Sequence, residues 1–171
     1  MMKGYMWVLL LAMTSMECVA GLDEGIKAYE AKNYQTALKE FLPLANNGDA
    51  FAQFTLGAMY DKGLGVAQDY SQAVDWYRKA GTQGYSHALN NLGVGYEFGH
   101  FGAKNLVLAH IFYNLAAVNG DEQNKKNRDR VTPQLTTVQL KEAQKIASQW
   151  VKGKPLPTVT KTYPSSSHKR K

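Results

Sequence analysis

The sequence predicts an all-α fold, a solenoid of antiparallel helix pairs, and three observations carry that prediction. Compared with itself at an offset of 36, the chain pairs Ala52 with Ala88, Leu56 with Leu92, Gly57 with Gly93, Tyr60 with Tyr96 and Gly63 with Gly99; further on it pairs Ala73 with Ala109, Tyr77 with Tyr113, Ala80 with Ala116 and Gly84 with Gly120. A period of that length marks stacked repeats. Within each unit the apolar residues recur at i, i+4 and i+8, the spacing of one helix face. Glycine stops and Asp or Asn caps punctuate the units. The 171 residues, 44% hydrophobic, supply enough apolar material for one packed domain.

In chain order, residues 1–20 read as an export signal. Lys3 precedes the apolar run Trp7 to Met13, and Cys18-Val19-Ala20 offers small residues where a signal peptidase reads, so cleavage is expected after Ala20. The alternative is an uncleaved anchor, for which the run falls well short of the roughly 20 residues that span a bilayer. A lipid-modified Cys18 would need a small residue before it, where Glu17 stands. Cys18 is the only cysteine, so the cleaved chain has no disulfide or thiol chemistry and depends on apolar burial for stability.

A partial unit is expected over 21–48, where Tyr34, Ala37, Phe41, Leu44 and Gly48 echo Tyr70, Ala73, Tyr77, Ala80 and Gly84. Atypical end units cap such stacks. The full units are 49–84 and 85–120. The first opens with a helix from about Ala50 to Asp61, whose face carries Ala52, Leu56 and Tyr60. Gly57 inside it costs about 1 kcal/mol against alanine. Its recurrence as Gly93 is expected to reflect a neighbouring backbone that crosses too closely for a side chain. Glycines of Lys62-Gly63-Leu64-Gly65 stop the helix. Asp69, with Gln72, caps the second helix, whose stripe is Ala73, Val74, Trp76, Tyr77 and Ala80 and which Gly81 and Gly84 end. Unit two repeats the scheme with Asn105 as cap and Ala109, Phe112, Tyr113 and Ala116 as stripe. Two closing helices occupy 121–152: one near Glu122 to Val131, and one that follows Pro133, opens on a Thr136–Gln139 capping box and carries Leu140, Ala143, Ile146, Ala147 and Trp150. Eight helices in four pairs result. From Gly153 on, Pro155, Pro157, Pro164 and Ser165 to Ser167 predict a disordered, basic tail, 153–171.

These residues also carry a family resemblance. The LG-x-x-Y of Leu56 to Tyr60, the G-x-G-V of Gly63 to Val66, the QDY of Gln68 to Tyr70 and the A-x-x-WY-x-KA of Ala73 to Ala80 resemble the Sel-one-like repeat (SLR) family, a relative of the tetratricopeptide (TPR) repeats. The second unit departs from that pattern, with Phe101 at the second glycine and Lys104-Asn105-Leu106 in place of QDY. Leu135 to Trp150 is similar to the closing helix of many bacterial arrays, so the resemblance covers about residues 23 to 152. It implies a right-handed α-α superhelix that serves as a protein-binding scaffold, often in the bacterial envelope, without common catalytic machinery or cofactor. Cysteine-rich secreted relatives are known as penicillin-binding or β-lactamase-like proteins, but this chain lacks their paired cysteines.

The formal charge of +6 does not make the body basic, because residues 21–151 hold 13 basic and 13 acidic side chains while 152–171 hold six basic ones and no acid. A nucleic-acid face is therefore not expected. His87, His100, His110 and His168 stand at no zinc spacing. Ser86 and His87 with Asp75 or Glu97 could be drawn as a hydrolytic group, yet no strained nucleophile turn accompanies them. Gly63 to Gly65 lacks the Lys-Ser/Thr of a phosphate loop. Tyr60, Trp76, Tyr77, Tyr96, Phe112 and Tyr113 repeat with the unit and are read as core. By analogy with tetratricopeptide arrays, ligand-facing residues come from the first helix of each pair: Phe54, Thr55, Ala58 and Asp61 in one unit and Asn90, Asn91, Val94 and Glu97 in the next. Amides such as Asn90 and Asn91 both donate and accept, so they can hold a peptide backbone of any sequence; ordinary wet surface is the alternative. The reading is an exported, monomeric, non-catalytic scaffold, periplasmic or secreted, that takes a protein or peptide along its concave groove. A peptidoglycan-related or β-lactamase-like hydrolase, and an envelope tether whose tail touches anionic surfaces weakly, are the rivals.

Overall fold

The computed structural model describes residues 21–119 and 121–159; the expected export signal, Gly120 and the end of the tail lie outside the described residues. Within them all regular structure is helical: α1 over 21–30, α2 (Tyr34–Asn46), α3 (Ala50–Lys62), α4 (Tyr70–Thr82), α5 (Ser86–Phe98), α6 (Leu106–Ala116), α7 (Glu122–Val131) and α8 (Thr137–Gln149), with 3-10 turns at Ala117–Asn119 and Thr132–Gln134. None of these helices is long and apolar enough to cross a membrane. The chain divides into two compact units after Ala73, within α4.

In the first unit α2 packs on α3. Ala37, Phe41 and Leu44 of α2 are buried, as are Ala52, Leu56 and Met59 of α3, the positions that the 3.6-residue period selects. Phe41 meets Phe51 edge-on at 6.0 Å. It also covers Gly25 of α1, where a Cβ would stand 2.8 Å from the ring. Asn33 and Asp49 cap α2 and α3, each accepting the backbone N–H three residues on. Gly63, at φ 68°, closes α3 in the left-handed conformation, and Asp69 accepts the N–H groups of Ser71 and Gln72 to open α4.

In the second unit α6 packs on α5, α7 and α8. Its fully buried Tyr113 lies over Gly93 of α5, where a Cβ would stand 2.6 Å from the ring. The glycine is thus required by an aromatic side chain of the partner helix and not by the crossing backbone that the repeat had suggested. Gly81, in the last turn of α4, also makes room for side chains, with Leu89 and Leu156 each 3.0 Å from where its Cβ would be, and Gly84 follows at φ 79°. Asn105 and Asp121 cap α6 and α7, and the Thr136–Gln139 capping box opens α8.

The irregular second loop has a packing explanation. One period apart, Met59 corresponds to Gly95 and Gly65 to Phe101. Met59 is buried in α3, while a Cβ at Gly65 would press on the Tyr34 backbone at 2.8 Å. In the other repeat Phe101 folds onto the bare surface of Gly95, against Tyr96 and Tyr77. Phe101 thus covers the space that Gly95 leaves open, as close packing requires.

Residues 153–159 are not loose, contrary to their composition. Leu156 is only 4% exposed, filling the space that Gly81 leaves. The Gly153 N–H donates to Thr82 O, Arg78 donates to Leu156 O at 2.9 Å, and the Trp150 indole donates to Lys154 O. Pro155 and Pro157 preset an extended path that needs no ladder of backbone bonds, so one buried leucine is enough to anchor it.

Gly93→Ala is expected to lower the urea-unfolding free energy by about 1–3 kcal/mol, although alanine is the better helix former by about 1 kcal/mol. An unchanged or raised midpoint would show that Tyr113 yields freely.

Candidate protein-binding face on α5 and α7

Four of the expected ligand-facing residues lie on α5, and in this unit a row of amides joins them to α4 and α7. Asn91 Nδ2 donates to the Tyr77 hydroxyl at 3.0 Å, Asn127 Nδ2 donates to Asn90 Oδ1 at 2.9 Å, and Gln123 Nε2 donates to Asn127 Oδ1 at 3.1 Å. Asn90 and Asn91 face each other more loosely at 3.5 Å. Each bond uses one oxygen and one N–H, so every amide keeps a second donor and a second lone pair. Val94 packs on the buried cluster of Ala109, Tyr113 and Val131.

One turn beyond Val94, Glu97 is 5% exposed, and its Oε2 accepts both the Tyr113 hydroxyl and an Arg130 N–H at 2.6 Å. A buried carboxylate needs such partners, since leaving it unpaired is costly. Burial, and then the bond to Glu97, pushes the Tyr113 phenol far above its ordinary range, so it remains a protonated donor. The bond to Glu97 raises Arg130 in turn. Arg130 keeps 51% of its side chain exposed, and its guanidinium lies 5.9 Å from the ring of Phe98. Phe98 is 58% exposed and stacks with His100 at 6.0 Å. Asn91, Val94 and Phe98 follow the i, i+3, i+7 rule and share one side of α5. Along that side run amides, then a partly covered valine, then an exposed aromatic beside a fixed cation.

The remaining expected residues belong to the first unit. Thr55 and Ala58 of α3 are buried, and the Thr55 hydroxyl donates to Phe51 O. They build the helix interior and offer a ligand nothing, as does the buried Glu97 carboxylate. Phe54 and Asp61 are half-buried, with the Asp61 carbonyl accepting Gln68 Nε2 at 2.7 Å. Ser86 and His87 open α5 while Glu97 closes it, about 16 Å further along the helix. The imagined hydrolytic group containing Glu97 is therefore not assembled. Sequence reasoning missed Phe98, Arg130 and Asn127. Asn127 lies one period on from Asn91, a signal that was legible; Phe98 and Arg130 carry no repeat signal.

The Sel1 repeat family model matches residues 50–85 and 86–121. Residues 50–121 are two tandem Sel1 repeats. Their limits fall one residue after the 49–84 and 85–120 units read from the self-comparison. Among curated proteins the chain is 41% identical over 58 residues to the DAP3-binding cell death enhancer 1 of Rattus norvegicus, covering 34% of this chain and 11% of that protein. It is 41% identical over 61 residues to the chitin synthase regulatory factor 3 of Schizosaccharomyces pombe, covering 36% of this chain and 6% of that protein. Among solved structures, a protective antigen of uropathogenic Escherichia coli strains that displays an SLR fold matches with a TM-score of 0.73 at 30% identity, over 77% of this chain and 29% of that one. A Sel1 repeat protein from Oxalobacter formigenes matches with a TM-score of 0.60 at 36% identity, over 63% of this chain and 44% of that one. The chain thus spans a small part of the curated relatives and under half of either structure. The all-α SLR-type solenoid is the shared fold. Sel1 repeats mediate protein–protein interaction, and the fold is typically a non-catalytic scaffold.

The second Sel1 repeat also buries His110, whose Nδ1 has no hydrogen-bond partner. Burial and then the Arg128 charge lower its pKa, with Asp129 opposing. The folded chain therefore refuses a proton that the unfolded chain accepts. Stability from this source is complete above the ordinary histidine value of about 6.5 and is lost as pH falls below it. Urea midpoints measured between pH 7.5 and pH 5.5 should fall, and should fall less in His110→Leu. Equal falls would place the titration elsewhere.

Proposed function

We propose that this chain is a non-catalytic scaffold of the bacterial cell envelope that binds an extended segment of a partner protein along the α5/α7 face of its second Sel1 repeat. One observation carries the reading: Phe98, exposed and flanked by Arg130 and His100, stands on the same side of α5 as the amide row. An exposed aromatic next to a guanidinium is the composition that dominates interface energetics. The spare donors and lone pairs of Asn90, Asn91 and Gln123 would satisfy a peptide backbone without reading its side chains, while the buried Asn127 holds Asn90 and Gln123 in place. Because those amides already bond one another, their rotamers are held before the partner arrives, which reduces the ordering cost of association.

The envelope location rests on the sequence of residues 1–20, with Lys3, the Trp7 to Met13 run and Cys18-Val19-Ala20 as its marks. A hydrolase reading gains no support from Glu97, whose carboxylate oxygen Oε2 is bonded to Tyr113 and Arg130.

Affinity capture from an envelope extract, with the chain and its Phe98→Asp variant side by side, tests the face. Loss of an anchor aromatic should weaken capture by more than about tenfold. The control is Val138→Asp, on an equally exposed valine of α8, which should capture as well as the parent chain. Equal recovery by the parent and Phe98→Asp would remove the assignment.

A further inference from the structure

A second surface of the same unit has the composition of a ligand site and is independent of the α5/α7 face. The ends of α6 and α8 and the start of the segment after α8 enclose an open cleft of about 650 Å³. Its lining is mixed: Leu115 and Ala147 lie buried beneath and Trp150 stands at the side, while Asn114 and Ser148 add polar groups. Val118 and Val151, 76% and 62% exposed, stand at it uncovered, so two of the most exposed apolar side chains of the described residues meet at one place. The charged residues that line the cleft are Arg128 and Lys152, both cationic.

Arg128 is held in position. Its Nε and one terminal nitrogen donate to Asp129 Oδ1 at 2.9 and 2.8 Å, and its other terminal nitrogen reaches the Asn114 oxygen at 3.4 Å. Asn114 lines the cleft, whereas Asp129 does not. A guanidinium carries five N–H groups, and these three bonds leave two of them unused. Lys152 also lines the cleft, and its stem packs against Gly84, its Cδ 3.2 Å from where a Cβ would be. An oriented guanidinium, a second cation and an apolar trough together complement a carboxylate attached directly to an apolar side chain.

We infer that this cleft binds the C-terminal end of a partner polypeptide, with the free carboxylate at Arg128 and Lys152 and an apolar last side chain between Val118, Trp150 and Val151. The volume lies within the range of small-ligand sites and fits a short chain end.

The test titrates the full chain with N-acetyl-Ala-Ala-Leu as the free acid, up to millimolar concentration, and follows the indole N–H resonance of Trp150 and the amide of Val118 by NMR. Both resonances should shift saturably. The C-terminal amide of the same peptide, and the free acid with Arg128→Gln or Val118→Asp, should each bind at least about tenfold more weakly, the usual scale for losing a charge-assisted bond or an apolar anchor. Val118 is a surface residue, so its variant keeps the test decisive if Arg128→Gln disturbs folding. Octanoate and acetate complete the series. Absence of saturable shifts, equal binding of acid and amide, equal binding by Val118→Asp, or octanoate or acetate matching the peptide would each overturn the proposal.

Discussion

The charged and aromatic end of the α5/α7 face depends on Tyr113. Its ring occupies the surface that Gly93 leaves bare, which brings α6 against α5, and its hydroxyl meets Glu97, which in turn holds Arg130 of α7. Three helices are joined through one buried side chain. The buried Glu97 carboxylate is satisfied by the buried phenol on one side and by the half-exposed Arg130 guanidinium on the other, so removing either donor leaves a buried charge less compensated. Arg130 is placed beside Phe98 by this arrangement, and the amide row runs between the same two helices. Packing thus fixes the geometry of a surface whose exposed members contribute little to holding it.

The helices were legible because their signals are local. Asp49, Asp69, Asn105 and Thr136 cap where their side chains can reach an N–H two or three residues on, and Gly63 closes α3 because only glycine takes its φ without strain. What a glycine inside a helix makes room for is not local. Gly93 admits a ring and Gly81 admits two leucines, one of them from the segment past α8. Composition predicts disorder for that segment because it averages over a window, whereas a single Leu156 facing a matching hollow is enough to hold it. The two mismatches of the self-comparison, Met59 against Gly95 and Gly65 against Phe101, have separate local reasons: Phe101 covers Gly95, and the Tyr34 backbone leaves no room for a side chain at Gly65.

The candidate face was half legible for a related reason. A helical period selects a side of α5, and Asn90, Asn91 and Val94 do lie along the amide row and the cluster beside it. It cannot tell which members of that side are covered by the next helix. The period puts Glu97 on the ligand-facing side, yet it is an internal anchor, while Phe98, one position on, carries the exposure. In α3 the apolar and polar positions are buried nearly all round, so Thr55 and Ala58 disappear into the interior.

The most direct measurement is a double-mutant cycle on urea-unfolding free energies with Tyr113→Phe and Arg130→Gln. If both residues stabilise the same buried carboxylate, the double variant should lose more than the sum of the single losses, by about 1 kcal/mol or more, because Glu97 is then left without either partner. Losses that add to within about 0.3 kcal/mol would mean the two contacts act separately and that α5, α6 and α7 are not held by a shared anchor.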